Sequence, residues 1–456
     1  MKNSRRDFLK TGVSLGLGFS LAGLGGRGSA ASGRPNLLII LADQDRYPTH
    51  TPPLKRPTLD RLRRSGIEFQ NAYCSYPLCS PSRATLITGK YPHQAGIFTN
   101  TDFYNHNPSL PPELPTIGRV FSQADYATAW FGKWHLCAGI GNSGESRKYG
   151  FERMRISSQL FGLGRDRSTI AHAADWIEGR KNSPRPWLCA CSVLNPHDIC
   201  YPALYSLYGQ IPEYPVSLPP NFSDDAGKIY PPFAAVLKTP ATSAQIPKTE
   251  KAWIAYLRHY CYFTELMDRQ IGALLEALDR TGQMANTVVI YTSDHGEMAG
   301  SHGLVNKGMA MYEENIHVPL VFSRPGLAPA ADDRLVSHLD LVPTLCGLAG
   351  IEWPEPLSGM DLTSVLAGKN VAPRETIFCE GQGELNTTKP WRGLRSGKWK
   401  YWQYLDGFEF LFDLETDPYE KANLAGEKSS QGLVDKFRER VRQFRRQTGD
   451  PFREFM

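Results

Sequence analysis

The run PNLLIILAD, Pro35–Asp43, constrains the fold of this chain more than any other stretch. Six apolar residues, Leu37 to Ala42, follow one another without polar alternation. That is the pattern of a strand buried on both faces, which needs a covering layer above and below. The run ends at Asp43. ATAWFGKWH (Ala127–His135) and WLCACSVLNPH (Trp187–His197) have the same texture and run into polar residues at their carboxyl ends. Thr287–Ser293 is a β-branched strand that stops at Asp294, and HVPLVFSRPG (His317–Gly326) is a further strand.

Helices separate these strands. RPTLDRLRRSG reads as a short helix with Pro57 in its first turn and Gly66 as its stop. Residues 251–281 form the clearest helix: Trp253, Tyr256, Leu257, Tyr260, Phe263, Met267, Ile271, Leu274, Leu275 and Leu278 recur at helical spacing, and Gly282 ends the pattern. Alternating strands and helices predict an α/β fold, a doubly wound, mostly parallel sheet flanked by helices. Ligands of such sheets bind beyond the carboxyl ends of the strands. Asp43, His135, His197 and Asp294 all fall there. Lys133 and His135 lie two apart, which on one strand points both to the same side.

Residues 198–250 are Pro- and Tyr-rich and weakly periodic, as a substrate lid or a surface insertion would be. After Leu339–Ile351 the texture changes. WRGLRSGKWKYWQY and FEFLFDLETDP read as antiparallel strands, followed by a basic helix over Gly432–Thr448. The aromatics and cations of the first of these suit an ordinary strand pair with snorkelling lysines better than a ligand pocket. The expected organisation is a leader over residues 1–30, an N-terminal catalytic domain over 31–350 and a smaller C-terminal α+β domain with a short antiparallel sheet over 351–456.

The leader has Arg5 and Arg6 before an uncharged run rich in Gly, Leu, Ser and Ala, and then small residues near Ala30. It reads as an export signal of twin-arginine type. The run is short for a transmembrane helix, so no stable membrane insertion is expected and the protein is expected to be exported, periplasmic or extracellular. The leader holds five cations against Asp7, a net +4 of the chain's +5. The remainder is close to neutral, which gives no argument for nucleic acid binding, and attraction for an anion must be local. The nine cysteines show no CxxC pair and no zinc spacing, and most sit in apolar context as small hydrophobes; whether any pair into a disulfide stays open.

The chain carries CSPSRATLITG from Cys79, then GKWHL, NPH, TSDHGE and KGMAMYEE. In these motifs and their order it resembles the formylglycine-dependent (type I) sulfatases of the alkaline phosphatase superfamily, over nearly everything after residue 34. The resemblance implies that a formylglycine-generating enzyme reads the loop around Pro81 and Arg83 and oxidises Cys79 to an aldehyde, whose hydrate is the nucleophile. It implies one divalent metal, usually calcium, held by Asp43, Gln44, Asp294 and His295 with the modified Cys79. It gives Arg83 the orientation of the hydrate, Lys133 and Lys307 the clamping of sulfate oxygens, His135 the activation of the nucleophile, and His197 the protonation of the leaving alcohol. Two positions depart from the common pattern: many members have Asp at Gln44 and several have Asn at His295. His93 reads as structural, and His106 and His302 are left unassigned. The expected activity is hydrolysis of sulfate esters, on a small molecule or, given export, a carbohydrate. The alternatives are a phosphodiester or phosphonate monoester hydrolase of the same superfamily, and a glycan-binding protein with unmodified Cys79.

Overall fold

The computed structural model describes residues 33–47, 53–101, 109–137, 147–157, 161–224, 229–382 and 389–451. The proposed leader and His106 lie outside these residues. Arg34–Met456 forms one compact unit.

Eight strands build the main sheet: β1 (Asn36–Asp43), β2 (Gly66–Tyr73), β3 (Ala127–Gly132), β4 (Arg153–Ile156), β5 (Trp187–Pro196), β6 (Thr287–Ser293), β7 (Leu320–Ser323) and β8 (Ala330–Ser337). Their order is β4-β3-β5-β1-β6-β7-β2-β8. All neighbours pair in parallel except β7, which runs antiparallel to β6 and β2. The unbroken apolar run of β1 is explained by its two faces. Leu37, Ile39 and Leu41 enter one core with the helices Cys79–Thr88, Ile117–Gln123 and Leu341–Ala349. Leu38, Ile40 and Ala42 enter the other with the helices Arg165–Glu178 and Glu250–Thr281.

Gly66 begins β2, and the short helix before it, Pro57–Arg63, is capped by Arg64. The expected stop is therefore a strand start. The described residues of 198–250 hold short helices joined by irregular chain; Tyr205 and Tyr208 of the helix Pro202–Tyr208, and Val216, Leu218 and Phe222 beyond it, pack on Trp253, Tyr256, Tyr260 and Phe263 of the long helix.

A separate antiparallel sheet lies in the C-terminal part: β9 (Thr376–Gly381), β10 (Trp391–Ser396), β11 (Trp399–Tyr404) and β12 (Glu409–Asp413), in the order β12-β11-β10-β9. One face packs on Met309, Met311, Tyr312 and Ile316, behind the segment that carries Lys307. The other receives Val434, Phe437 and Val441 of the helix Gln431–Thr448. The two lysines of this stretch differ: Lys398 lies over the Trp399 ring with its side chain partly exposed, whereas Lys400 is fully buried between Glu313 and Glu420. Trp391, Tyr401 and Trp402 are buried too, so these aromatics are core.

Candidate active site

Asp43 closes β1, and Asp294 follows β6, its neighbour in the sheet. His197 follows β5 on the other side of β1, and Lys133 follows β3 beyond it. The sheet thus delivers four polar residues to one edge. Lys133 and His135 lie past the end of their strand, so their common direction comes from a turn. Gly132 has φ +97°, and a Cβ there would lie 1.9 Å from Ser192 O of β5. Only glycine lets β3 turn so close to its neighbour. His135 and Gln44 also have positive φ, 59° and 73°, backbone strain of the kind that gathers at functional sites.

The loop that opens with Cys79 is a helix. Cys79–Thr88 begins at Cys79, takes Pro81 in its first turn and ends on Gly89 in the left-handed region. All ten residues are buried. Its hydroxyls are all satisfied: Ser80 bonds His135 O, Ser82 bonds Asp294 O and His338 Nδ1, Thr85 bonds Ser75, and Thr88 bonds Ala84 O. These bonds tie the helix to the ends of β3 and β6 and so fix Cys79 at the sheet edge.

Five residues surround the thiol. Cys79 Sγ lies 3.4 Å from Lys133 Nζ, 3.2 Å from His295 Nε2 and 3.9 Å from Asp43 Oδ1. His135 and His197 also stand close enough for the thiol to act on their titration. Burial alone would raise its pKa, but Lys133, Lys307 and His295 hold it well below the ordinary thiol value. Burial raises the titration of Cys189, Cys191, Cys261, Cys346 and Cys379, as expected of packed hydrophobes. All nine cysteines are free thiols in the structure.

Arg83 binds both carboxylates. Its Nε donates to Asp294 Oδ2 and its Nη2 to Asp43 Oδ2, each at 2.8 Å, and Nη1 donates to Lys133 O and Ser192 Oγ. Lys133 Nζ adds a contact of 2.6 Å to Asp43 Oδ2. Burial and Cys79 work against ionised Asp43, but Lys133, His197 and Arg83 hold it below the usual carboxylate range. Burial and the charge of Asp43 push Asp294 up to about 6. Two neighbouring buried carboxylates cannot share cations equally, so their titrations part.

The donor atoms of Asp43, Cys79, Asp294 and His295 lie within 4.8 Å of one another, and all four residues are buried. His295 Nδ1 bonds Gly296 O at 2.9 Å, which leaves Nε2 facing the cluster. Two carboxylates and an imidazole nitrogen fit a divalent cation. Gln44 is fixed beside them: its N–H donates to Asp294 Oδ1, Nε2 donates to Glu297, and Oε1 accepts from Lys307 Nζ. Burial opposes the Lys307 cation, but Cys200, Cys79, Asp43 and Glu297 push its pKa up.

Every site residue expected from the sequence therefore lies in one cluster. Sequence reasoning missed Glu297, which stands inside TSDHGE, and the supports Ser192, Cys200 and His338. His93 pairs with Glu380 at 2.6 Å, away from Cys79, and His302 stacks on Tyr312 beside Asp224.

A cysteine clasped by cations beside two carboxylates, at the carboxyl edge of a doubly wound sheet, is the arrangement of an enzyme that acts on an anionic ester. The Sulfatase family model matches residues 35–351, and that of the N-sulphoglucosamine sulphohydrolase C-terminal region matches residues 300–447. A Delta 4,5-hexuronate-2-O-sulfatase of Bacteroides thetaiotaomicron is 31% identical over 88% of this chain and 86% of its own. An ulvan-active sulfatase of Formosa agariphila is 28% identical over 92% of this chain and 83% of its own. The structure of a 2-O GAG sulfatase aligns with TM-score 0.78 and 28% identity over 93% of this chain and 94% of its own. A phosphonate monoester hydrolase of Agrobacterium radiobacter aligns with TM-score 0.74 at 22% identity, over 91% of this chain and 96% of its own, a likeness of fold. The chain belongs to the formylglycine-dependent sulfatase family of the alkaline phosphatase superfamily, and its enzyme class is that of the sulfuric ester hydrolases.

Proposed function

We propose that this enzyme hydrolyses a sulfate ester of a glycan, with Cys79 converted to formylglycine and one divalent cation in the cluster of Asp43, Gln44, Asp294 and His295. The observation that carries the reading is the seat of Cys79. It opens a buried helix within reach of Lys133, His135, His197 and His295, and its surroundings favour the anion. The relatives that act on hexuronate and ulvan support a glycan as substrate.

Lys133 and Lys307 reach the site from different segments and would hold the sulfate oxygens as point charges. An aldehyde hydrate at position 79 would supply one hydroxyl as the nucleophile for sulfur, displacing the alcohol, and a second whose return to the carbonyl would release sulfate. His135, in contact with position 79, orients the hydrate. His197 is neutral in the free enzyme, because burial, Lys307 and Lys133 push its pKa down to about 3. A sulfate ester between those lysines brings negative charge and raises that pKa, so His197 gains a proton with the substrate and gives it to the leaving alcohol. A bound divalent cation, calcium by family resemblance, would lower the nucleophile's pKa and offset charge on the sulfate oxygens. Arg83 favours the ionised form of both carboxylates and aims them at that position.

The proposal extends to the chain's handling: export through the twin-arginine machinery directed by residues 1–30, periplasmic or extracellular residence, modification by a formylglycine-generating enzyme, and a catalytic part over 31–350 with a C-terminal part over 351–456. The test is the mass of the tryptic peptide Ser65–Arg83 from a host competent for the modification, with rates on aryl sulfate, aryl phosphodiester and sulfated disaccharides. Aldehyde at Cys79 and faster sulfate ester hydrolysis are expected. An unmodified thiol would leave a glycan-binding protein, and faster phosphodiester hydrolysis a phosphonate-type hydrolase.

A further inference from the structure

Among the described residues only two large hydrophobic side chains are exposed, Leu163 at 37% and Leu207 at 60%. Both belong to segments fastened to the turn that follows His197. Asp198, next in the chain, accepts Gly162 N–H at 2.7 Å, Leu163 N–H at 3.1 Å and the hydroxyl of Tyr208. Gly162 is wedged against β5 and the helix Arg165–Glu178: a Cβ there would lie 2.4 Å from Asn195 Nδ2 and 2.7 Å from Asp166 Oδ2. This close approach brings Phe161 edge-on to Tyr201, with ring centroids 4.8 Å apart. The Tyr201 ring lies 5.7 Å from the His197 imidazole, four residues on in the same turn. Both Phe161 and Tyr201 are half-buried, unlike the core aromatics. Burial pushes the Tyr201 titration up, with smaller contributions from Cys200, Lys307, Cys79 and Asp43. His197 Nδ1 is buried and unpartnered among the described residues.

We infer that Tyr201 and Phe161 form the wall of the leaving-group subsite, which receives the apolar face of a pyranose ring whose ester oxygen lies at His197. This inference rests on the glycan reading above and adds the residues that select a ring over an open chain. Aromatic rings favour the C–H face of a sugar because that face is apolar and the ring's rim is not. The wall stands on the side of the proposed proton donor, where the alcohol departs. Lys133, whose Nζ lies 3.4 Å from the thiol, takes the charged end. Asp198 is the positioning residue, since it sets Phe161 against Tyr201 through two backbone N–H groups. A ring held at this wall presents its ester oxygen to His197 and its sulfate to the lysines at once.

The test uses the full, modified enzyme and a 2-O-sulfated unsaturated uronate disaccharide, compared with 2-sulfated and 6-sulfated hexosamine monosaccharides, with inorganic sulfate as a competing product. Tyr201→Ala and Phe161→Ala are expected to raise KM for the preferred sugar about tenfold, with a smaller change in kcat. Inhibition by inorganic sulfate is expected to stay at the wild-type level, because sulfate alone has no ring to rest on the wall. Tyr201→Phe keeps the ring and is expected to restore KM. Wild-type KM in both alanine variants overturns the inference, as does an equal weakening of inorganic sulfate inhibition. A wild-type enzyme that cleaves aryl sulfate but no sulfated sugar overturns instead the glycan reading on which the wall depends.

Discussion

Glu297 takes the side-chain N–H of Gln44 as a hydrogen-bond donor and so turns Gln44 Oε1 toward Lys307. An amide has a donor end and an acceptor end, and a carboxylate can receive only the former. Glu297 also accepts from Tyr256 Oη at 2.8 Å and from Ala299 and Asn306 N–H, each at 2.9 Å. It therefore orients the amide of Gln44 beside the two carboxylates of the cluster. Glu297→Ala removes the carboxylate that four donors share, three of them in buried hydrogen bonds, and is expected to cost at least about 3 kcal/mol. The stabilisation by added calcium, read as a shift in thermal midpoint, is expected to shrink in the same variant. An unchanged calcium response would show that the amide orientation does not matter to the cluster.

Arg83 is the keystone for charge. It is fully buried and spans Asp43 and Asp294 with its planar fork, which a lysine cannot match. Arg83→Lys is expected to lose about 3–5 kcal/mol by leaving one buried carboxylate uncompensated. Chemical unfolding of both proteins, without added metal, checks this. An unchanged unfolding midpoint would contradict the pairing.

Cys79 is the described cysteine with the clearest lowering of pKa, whereas burial pushes Cys200 up to about 11. Protein made in a host that lacks the modifying enzyme should therefore be alkylated first at Cys79 by iodoacetamide at pH 6, since the thiolate is the reacting form. Lys133→Met removes the leading stabilising charge and should slow the reaction about tenfold or more. Peptide mass mapping over time gives the rates, and preferential labelling at any other cysteine would count against the electrostatics of the site.

His338 stands behind the site with Nδ1 3.2 Å from Ser82 Oγ, and burial pushes its pKa down to about 3 from the usual 6.5. The unfolded chain then binds a proton that the folded chain refuses. Its contribution to stability is complete above pH 6.5 and is lost as the pH falls toward 3. His338→Gln should flatten the pH dependence of stability by about 1.4 kcal/mol per pH unit between pH 6 and 4. Urea unfolding of both proteins at two pH values in that window measures the difference. Parallel slopes would place the titration elsewhere.

Sequence determined the strands whose burial leaves no alternative. The apolar runs of β1, β5 and β6 must lie inside a two-layered cover, and polar residues at their carboxyl ends then follow. It also carried the order of motifs that places Asp43, Cys79, Lys133, His197, Asp294 and Lys307 in one family of sites. Tertiary structure decided what pattern alone cannot carry. β2 and β8 have mixed polarity and become strands only through pairing, β2 between β7 and β8, and β8 against β2 at the sheet edge. The direction of Lys133 and His135 depends on a glycine turn against β5, which spacing along a strand cannot reveal. The hydroxyls around Cys79 are hydrogen-bonded to residues as far off in sequence as Asp294 and His338, and the wall of Phe161 and Tyr201 exists because Asp198 gathers two distant segments. Periodicity records which face of an element is buried; the partner that buries it comes from elsewhere in the chain and is fixed only when the sheet closes around its edge.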